Sequence, residues 1–158
     1  MSSKLIIPLG TAASGKTTWY ESYNFNNPCG KDYVQRISAD DTRFHLLNYP
    51  DSGIDFDPKV EPEVWRMVWF EFIRVLRGSY SIYLDCTNLT KARRQPFIDC
   101  ARAFGYEIQL IWFQTSLATC LQQNADRDRT LDEAIIARQF VALQAPEGYE
   151  YDTLIEVA

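Results

Sequence analysis

Histidine is nearly absent, with His45 alone, and the four cysteines, Cys29, Cys86, Cys100 and Cys120, include no C-x-x-C pair. Without ligand spacing, this argues against a zinc site. His45 itself is expected as a helix residue rather than a catalytic base. No apolar run approaches the roughly 18 residues that cross a membrane. Met1-Ser2-Ser3-Lys4 leads directly into the first apolar stretch without an h-region or cleavage site. That predicts a cytosolic protein whose thiols are reduced and mostly buried. Positive charge is also short: 16 Lys and Arg against 21 Asp and Glu give a net charge of −5. Such a balance argues against tight non-specific binding to duplex, which needs many phosphate contacts. The acid is unevenly spread, however. Residues 147–158 carry −4 and residues 51–63 another −4, so the remainder is +3. A small local site for a strand end stays open. With 158 residues and 46% hydrophobic content, a single domain with a real core is expected.

What is present is Gly10-Thr11-Ala12-Ala13-Ser14-Gly15-Lys16-Thr17, directly after Lys4-Leu5-Ile6-Ile7-Pro8-Leu9. It fits G-x-x-x-x-G-K-[ST], the P-loop that wraps a nucleoside triphosphate. Gly10 and Gly15 permit the tight turn that points N–H groups at phosphate oxygens. Lys16 reaches the β- and γ-phosphates, and the Thr17 hydroxyl can ligate Mg²⁺. Thr18 closes the nucleotide-binding stretch. A helix beginning near Gly15 adds its positive end to the anion site. The alternative is a chance glycine turn; a strand before and a helix after favour the P-loop.

Along the chain, residues 4–10 predict a buried parallel strand, with Pro8 near its end. A helix over about 15–23 follows, closed by the turn formers of residues 24–30. Residues 33–38 alternate as a second strand. Asp40 and Asp41 are expected to cap a short helix over about 42–47. Residues 49–58 form an acidic loop without calcium-loop spacing. Val64, Val68, Phe72 and Val75 give a helix over about 60–77 its core face, and Gly78 ends it. Residues 80–86 make a third strand. Thr90 can cap a helix over 91–104, which Pro96 is expected to kink or to start late. Residues 106–113 make a fourth strand, and helices over about 117–125 and 131–143 form a lid. The acidic tail 147–158 contains a candidate edge strand over 151–157. The fold class is therefore α/β: a single domain, with a parallel four- to five-stranded sheet, helices on both faces and a helical lid.

Ligands of such sheets bind beyond the carboxyl ends of the strands. Residues 10–17, 38–43 and 85–88 should therefore converge on one cleft. Asp40 can accept the proton of an acceptor hydroxyl, or act as a helix cap. Arg43, three residues on, can hold an acceptor phosphate through its guanidinium fork, or pair with Asp40 or Asp41. Asp85 ends an apolar strand at the Walker-B position, where a carboxylate supports the Mg²⁺ shell. Thr87 and Asn88 follow as candidate acceptor contacts. Arg127 and Arg129 lie in the polar turn between the lid helices, where an arginine can reach the developing charge of phosphoryl transfer. Arg93 and Arg94 either steer a phosphate chain or form a solvated helix face.

These spaced motifs resemble the polynucleotide 5′-hydroxyl kinase family of phage and repair enzymes, kinase domain alone. The likeness rests on residues 10–17, on S-x-D-D-x-R at 38–43, on D-x-T-N-L-x-x-x-R-R at 85–94, on N-x-x-R at 124–127 and on P-E-G-Y at 146–149. The resemblance implies ATP and Mg²⁺ as cofactors, and Lys16, Asp40 and Arg127 as the catalytic set. Asp40 would be the general base, Arg43 and Thr87 would contact the acceptor phosphate, and Arg127 would sit on the donor phosphates. Gln123 replaces the arginine often found before the lid Asn, and Leu131-Asp132 replaces the usual Val-Pro. These departures leave the choice between Arg127 and Arg129 open. The implied substrate is a nucleic-acid strand end or a hydroxymethyl group on a modified DNA base. No membrane and no protein partner is implied. Two other readings stay open: a small-molecule kinase acting on a nucleoside, sugar or similar metabolite, and a nucleotide-binding switch module. The missing N-K-x-D signature counts against the switch.

Overall fold

Strand and helix alternate along the chain in the order that the hydrophobic patterning predicts. The computed structural model describes residues 2–25 and 33–158. Its elements are β1 (Lys4–Leu9), α1 (Lys16–Phe25), β2 (Val34–Ser38), α2 (Ala39–Leu47), α3 (Glu61–Arg77), β3 (Ser81–Asp85), α4 (Lys91–Ala103), β4 (Glu107–Phe113), α5 (Leu117–Ala125), α6 (Glu133–Ala142) and β5 (Thr153–Val157). The turn expected over 24–30 falls almost wholly outside the described residues, as does Cys29.

All pairings are parallel and the strand order is β2-β3-β1-β4-β5. Every strand therefore ends at the same edge of the sheet. Alternate residues of each strand serve opposite faces. Leu5, Ile7, Leu9, Ile82 and Leu84 pack with Val68 and Phe72 of α3 and with Phe97 and Ile98 of α4. Ile6, Tyr83, Ile111 and Phe113 face the other way, against Trp19, Tyr20 and Tyr23 of α1. A core served from both faces explains why β1 reads as a near-continuous apolar run.

Pro8 lies inside β1, the central strand, where a missing N–H costs a ladder bond. The pairing of β1 with β3 covers only Leu5 and Ile6. Beyond it the Asn88 side chain takes over: its Nδ2 donates to Pro8 O at 2.8 Å, Cys86 O at 3.0 Å and Leu84 O at 3.1 Å. Two strands that part at their carboxyl ends are thus held together by one buried amide.

Two sequence expectations are corrected. Asp40 and Asp41 are not caps. Ser38 is the N-cap of α2, its hydroxyl accepting from Asp41 N at 3.2 Å, and both aspartates fall in the first helical turn. There a carboxylate faces the positive end of the helix dipole. Pro96 does not delay α4, which starts at Lys91 behind the Thr90 cap and continues through the proline to Ala103. His45 lies exposed in the last turn of α2.

Candidate nucleotide and acceptor site

The two glycines of the P-loop serve different needs. A Cβ on Gly10 would sit 2.5 Å from Ser14 Oγ and 3.1 Å from Phe113 Cβ, so this position needs the space. Gly15 adopts φ +103°, a conformation that L side chains rarely take. Lys16 is buried, and its ammonium folds back onto the loop. Nζ donates to Gly10 O at 2.9 Å, Thr11 O at 2.5 Å and Ser14 Oγ at 3.5 Å. Burial lowers its pKa from 10.5 to about 8; the charges of Asp85 and Asp40 pull upward and that of Arg127 downward. The amino end of α1 is fixed from below, since Tyr83 OH donates to Lys16 O at 3.0 Å.

Ser38 and Asp85 are register partners, so β2 and β3 end together, with Asp40 two residues past that edge in the first turn of α2. Asp85 is held by Arg36, whose Nε and Nη2 reach Oδ2 at 2.7 and 2.5 Å. The same guanidinium bridges to Asp41 at 2.6 Å. Arg43 donates from Nη1 to Asp40 Oδ1 and grips Glu61 with Nε at 2.5 Å and Nη2 at 3.1 Å. Its three nitrogens are all engaged by carboxylates. The Asp40 side chain stays exposed, with Oδ2 carrying no hydrogen bond among the described residues.

Thr87 and Asn88 sit where β1 and β3 end. The Thr87 carbonyl accepts from Gly10 N at 3.3 Å, which fastens this loop to the P-loop. Asn88 is buried in a left-handed conformation, φ 53°, with its Nδ2 given to the three carbonyls already named. Arg94 neither steers a phosphate nor faces solvent. It is fully buried in a two-bonded pair with Glu150, Nε to Oε1 at 2.7 Å and Nη2 to Oε2 at 3.2 Å. Its Nη1 donates to Asn88 O at 2.9 Å, Gln144 O at 3.2 Å and Leu89 O at 3.3 Å. The acidic tail therefore contributes one buried carboxylate that anchors the loop after β3. Arg93 is exposed and lies over the Trp65 ring, 5.2 Å from its centroid.

The turn between α5 and α6 is stapled at both ends. Asn124, buried, donates from Nδ2 to Leu131 O at 2.8 Å and accepts Leu131 N at 2.9 Å on Oδ1. The two arginines between them differ. Arg129 pairs with Asp55 at 3.0 Å and lies 4.8 Å from the Phe44 ring centroid. Arg127 is exposed, without an ion pair among the described residues, and its charge is felt at Lys16. Three contacts join the segment from Thr115 to α6 to the P-loop: Thr115 Oγ1 to Ser14 O at 2.9 Å, Cys120 Sγ beside Thr11 Oγ1 at 3.2 Å, and Ala12 N to Gln139 Oε1 at 2.8 Å.

Sequence reasoning passed over Arg36, Glu61 and Gln139. Arg36 had a signal, an arginine two residues before the end of a buried strand. Gln139 had none, since one polar residue on a helix reads as solvated.

A family model described as AAA domain matches residues 5–146, nine-tenths of the chain. The chain belongs to this family. Among solved structures, this AAA-domain protein is similar to a gluconokinase from Sinorhizobium meliloti 1021, with TM-score 0.60 and 14% identity over 98% of this chain and 83% of that one. It is similar to a chain of the Pnkp1/Rnl/Hen1 RNA repair complex, with TM-score 0.73 and 21% identity over 90% of this chain and 44% of the other. It is also similar to Chaetomium thermophilum Kti12 in complex with ADP-AlF3, with TM-score 0.67 and 16% identity over 98% and 88% of the two chains. No curated protein matches it. The P-loop kinase fold is thereby shown. No helix among the described residues is long and apolar enough to cross a membrane.

Proposed function

We propose that this protein is an ATP-dependent kinase that transfers the γ-phosphate to a hydroxyl on nucleic acid, first a polynucleotide 5′-hydroxyl and otherwise a hydroxymethyl group on a modified DNA base. One observation carries the reading: the loop holding Lys16, the end of β3 at Asp85 and the start of α2 at Asp40, drawn from three separate segments, all follow the carboxyl edge of one parallel sheet. A nucleotide switch needs the lysine and Asp85 but has no use for a further exposed carboxylate, Asp40, with one oxygen open. The likeness to a chain of an RNA repair complex supports a nucleic-acid acceptor.

In this reading the backbone amides of residues 10–18 hold the triphosphate, and Lys16 leaves its carbonyls for the β- and γ-phosphates. The oxygen-donor set fits Mg²⁺, which takes few protein ligands and keeps phosphate and water: the Thr17 hydroxyl is exposed and Asp85 Oδ1 has no hydrogen bond among the described residues. Thr17 and Asp85 would hold the ion, which neutralises phosphate charge. Arg36 keeps Asp85 aligned. Asp40 accepts the acceptor hydroxyl proton on Oδ2 as the oxygen attacks phosphorus and ADP leaves. Arg43, tied to Glu61, orients Asp40 and meets the acceptor phosphate with Thr87. Asn88 keeps that loop in place from behind. Arg127 comes down on the donor phosphates, while Arg129 holds the turn to the loop at Asp55.

A small-molecule acceptor is the second reading, favoured by the match to the gluconokinase along most of both chains. Asp40→Asn tests the base directly. It should lower kcat by roughly 10²–10⁴-fold while nucleotide affinity stays within about twofold. Lost nucleotide affinity with preserved turnover would place Asp40 in the metal shell or the scaffold.

A further inference from the structure

We infer that Gln139 of α6 reads the terminal phosphate of the nucleotide, switching from hydrogen-bond acceptor to donor when a γ-phosphate arrives. The inference rests on the nucleotide-binding half of the function above and not on the acceptor.

Lys16 Nζ rests on the carbonyls of Gly10 and Thr11. Because a P-loop lysine serves the β- and γ-phosphates, residues 10–12 mark the γ end of the cradle. Ala12 N–H belongs to that end, and it donates to Gln139 Oε1 at 2.8 Å. The donor fixes the amide orientation, since only Oε1 can accept. An uncharged oxygen thus occupies the place that a γ-phosphate oxygen would take. Nε2 carries no hydrogen bond among the described residues, so both of its protons remain for a ligand.

Bonds to charged acceptors are roughly twice as strong as neutral ones. A γ-phosphate oxygen therefore displaces Oε1 from Ala12 N–H. The freed amide, turned about its last torsion, can then donate from Nε2 to the same phosphate. With a diphosphate the γ end stays vacant and the original bond persists. A primary amide performs both roles. A glutamate would accept from Ala12 more strongly and then repel the phosphate, and a methionine would do neither.

The placement connects this exchange to the lid. Gln139 lies on the helix that Asp132 caps, directly after the turn that Asn124 clamps. Arg127 sits inside that clamped turn. Gln139 and Arg127 thus lie in neighbouring parts of one helical pair.

The test measures affinities of wild type, Gln139→Met and Gln139→Glu for a non-hydrolysable ATP analogue and for ADP, each with Mg²⁺ and no acceptor. ADP binding doubles as the check that each variant is folded. The triphosphate-to-diphosphate affinity ratio should fall several-fold in Gln139→Met and about tenfold or more in Gln139→Glu. A ratio unchanged in both variants, or raised in Gln139→Met, overturns the inference. Wild type binding neither nucleotide would overturn the nucleotide site itself, a failure distinct from the absence of transfer to any acceptor.

Discussion

Lys16 should take up a proton when nucleotide binds at alkaline pH. In the nucleotide-free protein its ammonium is buried, and burial brings its pKa from 10.5 down to about 8. A bound triphosphate places negative charge on Nζ and restores the protonated form. At pH 8.5 a lysine of pKa about 8 is roughly three-quarters neutral, so binding should draw in about 0.75 proton. At pH 7 the uptake at this group should fall to about 0.1 proton. Titration calorimetry in buffers of differing ionisation enthalpy measures both values. The same shift governs stability. The unfolded chain keeps Lys16 protonated to about pH 10.5, whereas the folded chain releases the proton near pH 8. The buried charge therefore destabilises the empty protein below pH 8, and the penalty fades between pH 8 and 10.5. A shift from 10.5 to about 8 corresponds to about 3 kcal/mol. Losing the contacts to Gly10, Thr11 and Ser14 offsets part of this. Lys16→Met should thus stabilise the nucleotide-free protein by roughly 1–3 kcal/mol at pH 7 and by less at pH 10, while abolishing nucleotide binding. Destabilisation at pH 7, or binding without proton uptake at pH 8.5, would refute the reasoning.

Arg94→Met should cost about 3–5 kcal/mol by stranding the Glu150 carboxylate, and Arg94→Met with Glu150→Met should recover most of it; denaturant melts decide, and additive losses would contradict a buried pair. Arg127→Ala should lower turnover at least tenfold without moving the melting temperature, because Arg127 makes no ion pair among the described residues. Arg129→Ala should cost at most about 1 kcal/mol of stability, with a smaller loss of turnover, since its pair with Asp55 is partly exposed. The reverse ordering of the two turnover losses would exchange their roles. Asn88→Ala should destabilise by about 1–3 kcal/mol, because the carbonyls of Pro8, Leu84 and Cys86 lose their shared donor; an unchanged melt would show that water replaces it.

The sheet was legible because its strands obey simple rules. β1 is buried on both faces and reads as an apolar run, β4 reads as an alternating aromatic strand, and Gly10 and Gly15 announce the loop between strand and helix. The site was legible to the extent that it follows from topology: parallel strands bring residues 10–17, 38–43 and 85–88 to one edge. Pairwise partners were not. Nothing in the sequence links Arg94 to Glu150 or Ala12 to Gln139, because both contacts join segments that meet only after the lid and the tail have packed. Asp40 and Asp41 compete with Ser38 for the cap of α2 on residue type alone, and the extended backbone at Ser38 decides it. Pro96 was expected to disturb α4, yet Phe97, Ile98 and Ala101 are buried in the core beyond it. That packing outweighs one lost helical bond.

The central claim is transfer of a phosphoryl group to a hydroxyl on nucleic acid. Wild type and Asp40→Asn should be incubated with γ-labelled ATP, Mg²⁺ and, in separate reactions, 5′-hydroxyl oligonucleotides of DNA and RNA, hydroxymethylated DNA, nucleosides and sugars. Label is expected on the oligonucleotide or hydroxymethylated DNA, dependent on Asp40. Label on a nucleoside or sugar alone, or transfer undiminished in Asp40→Asn, would contradict it.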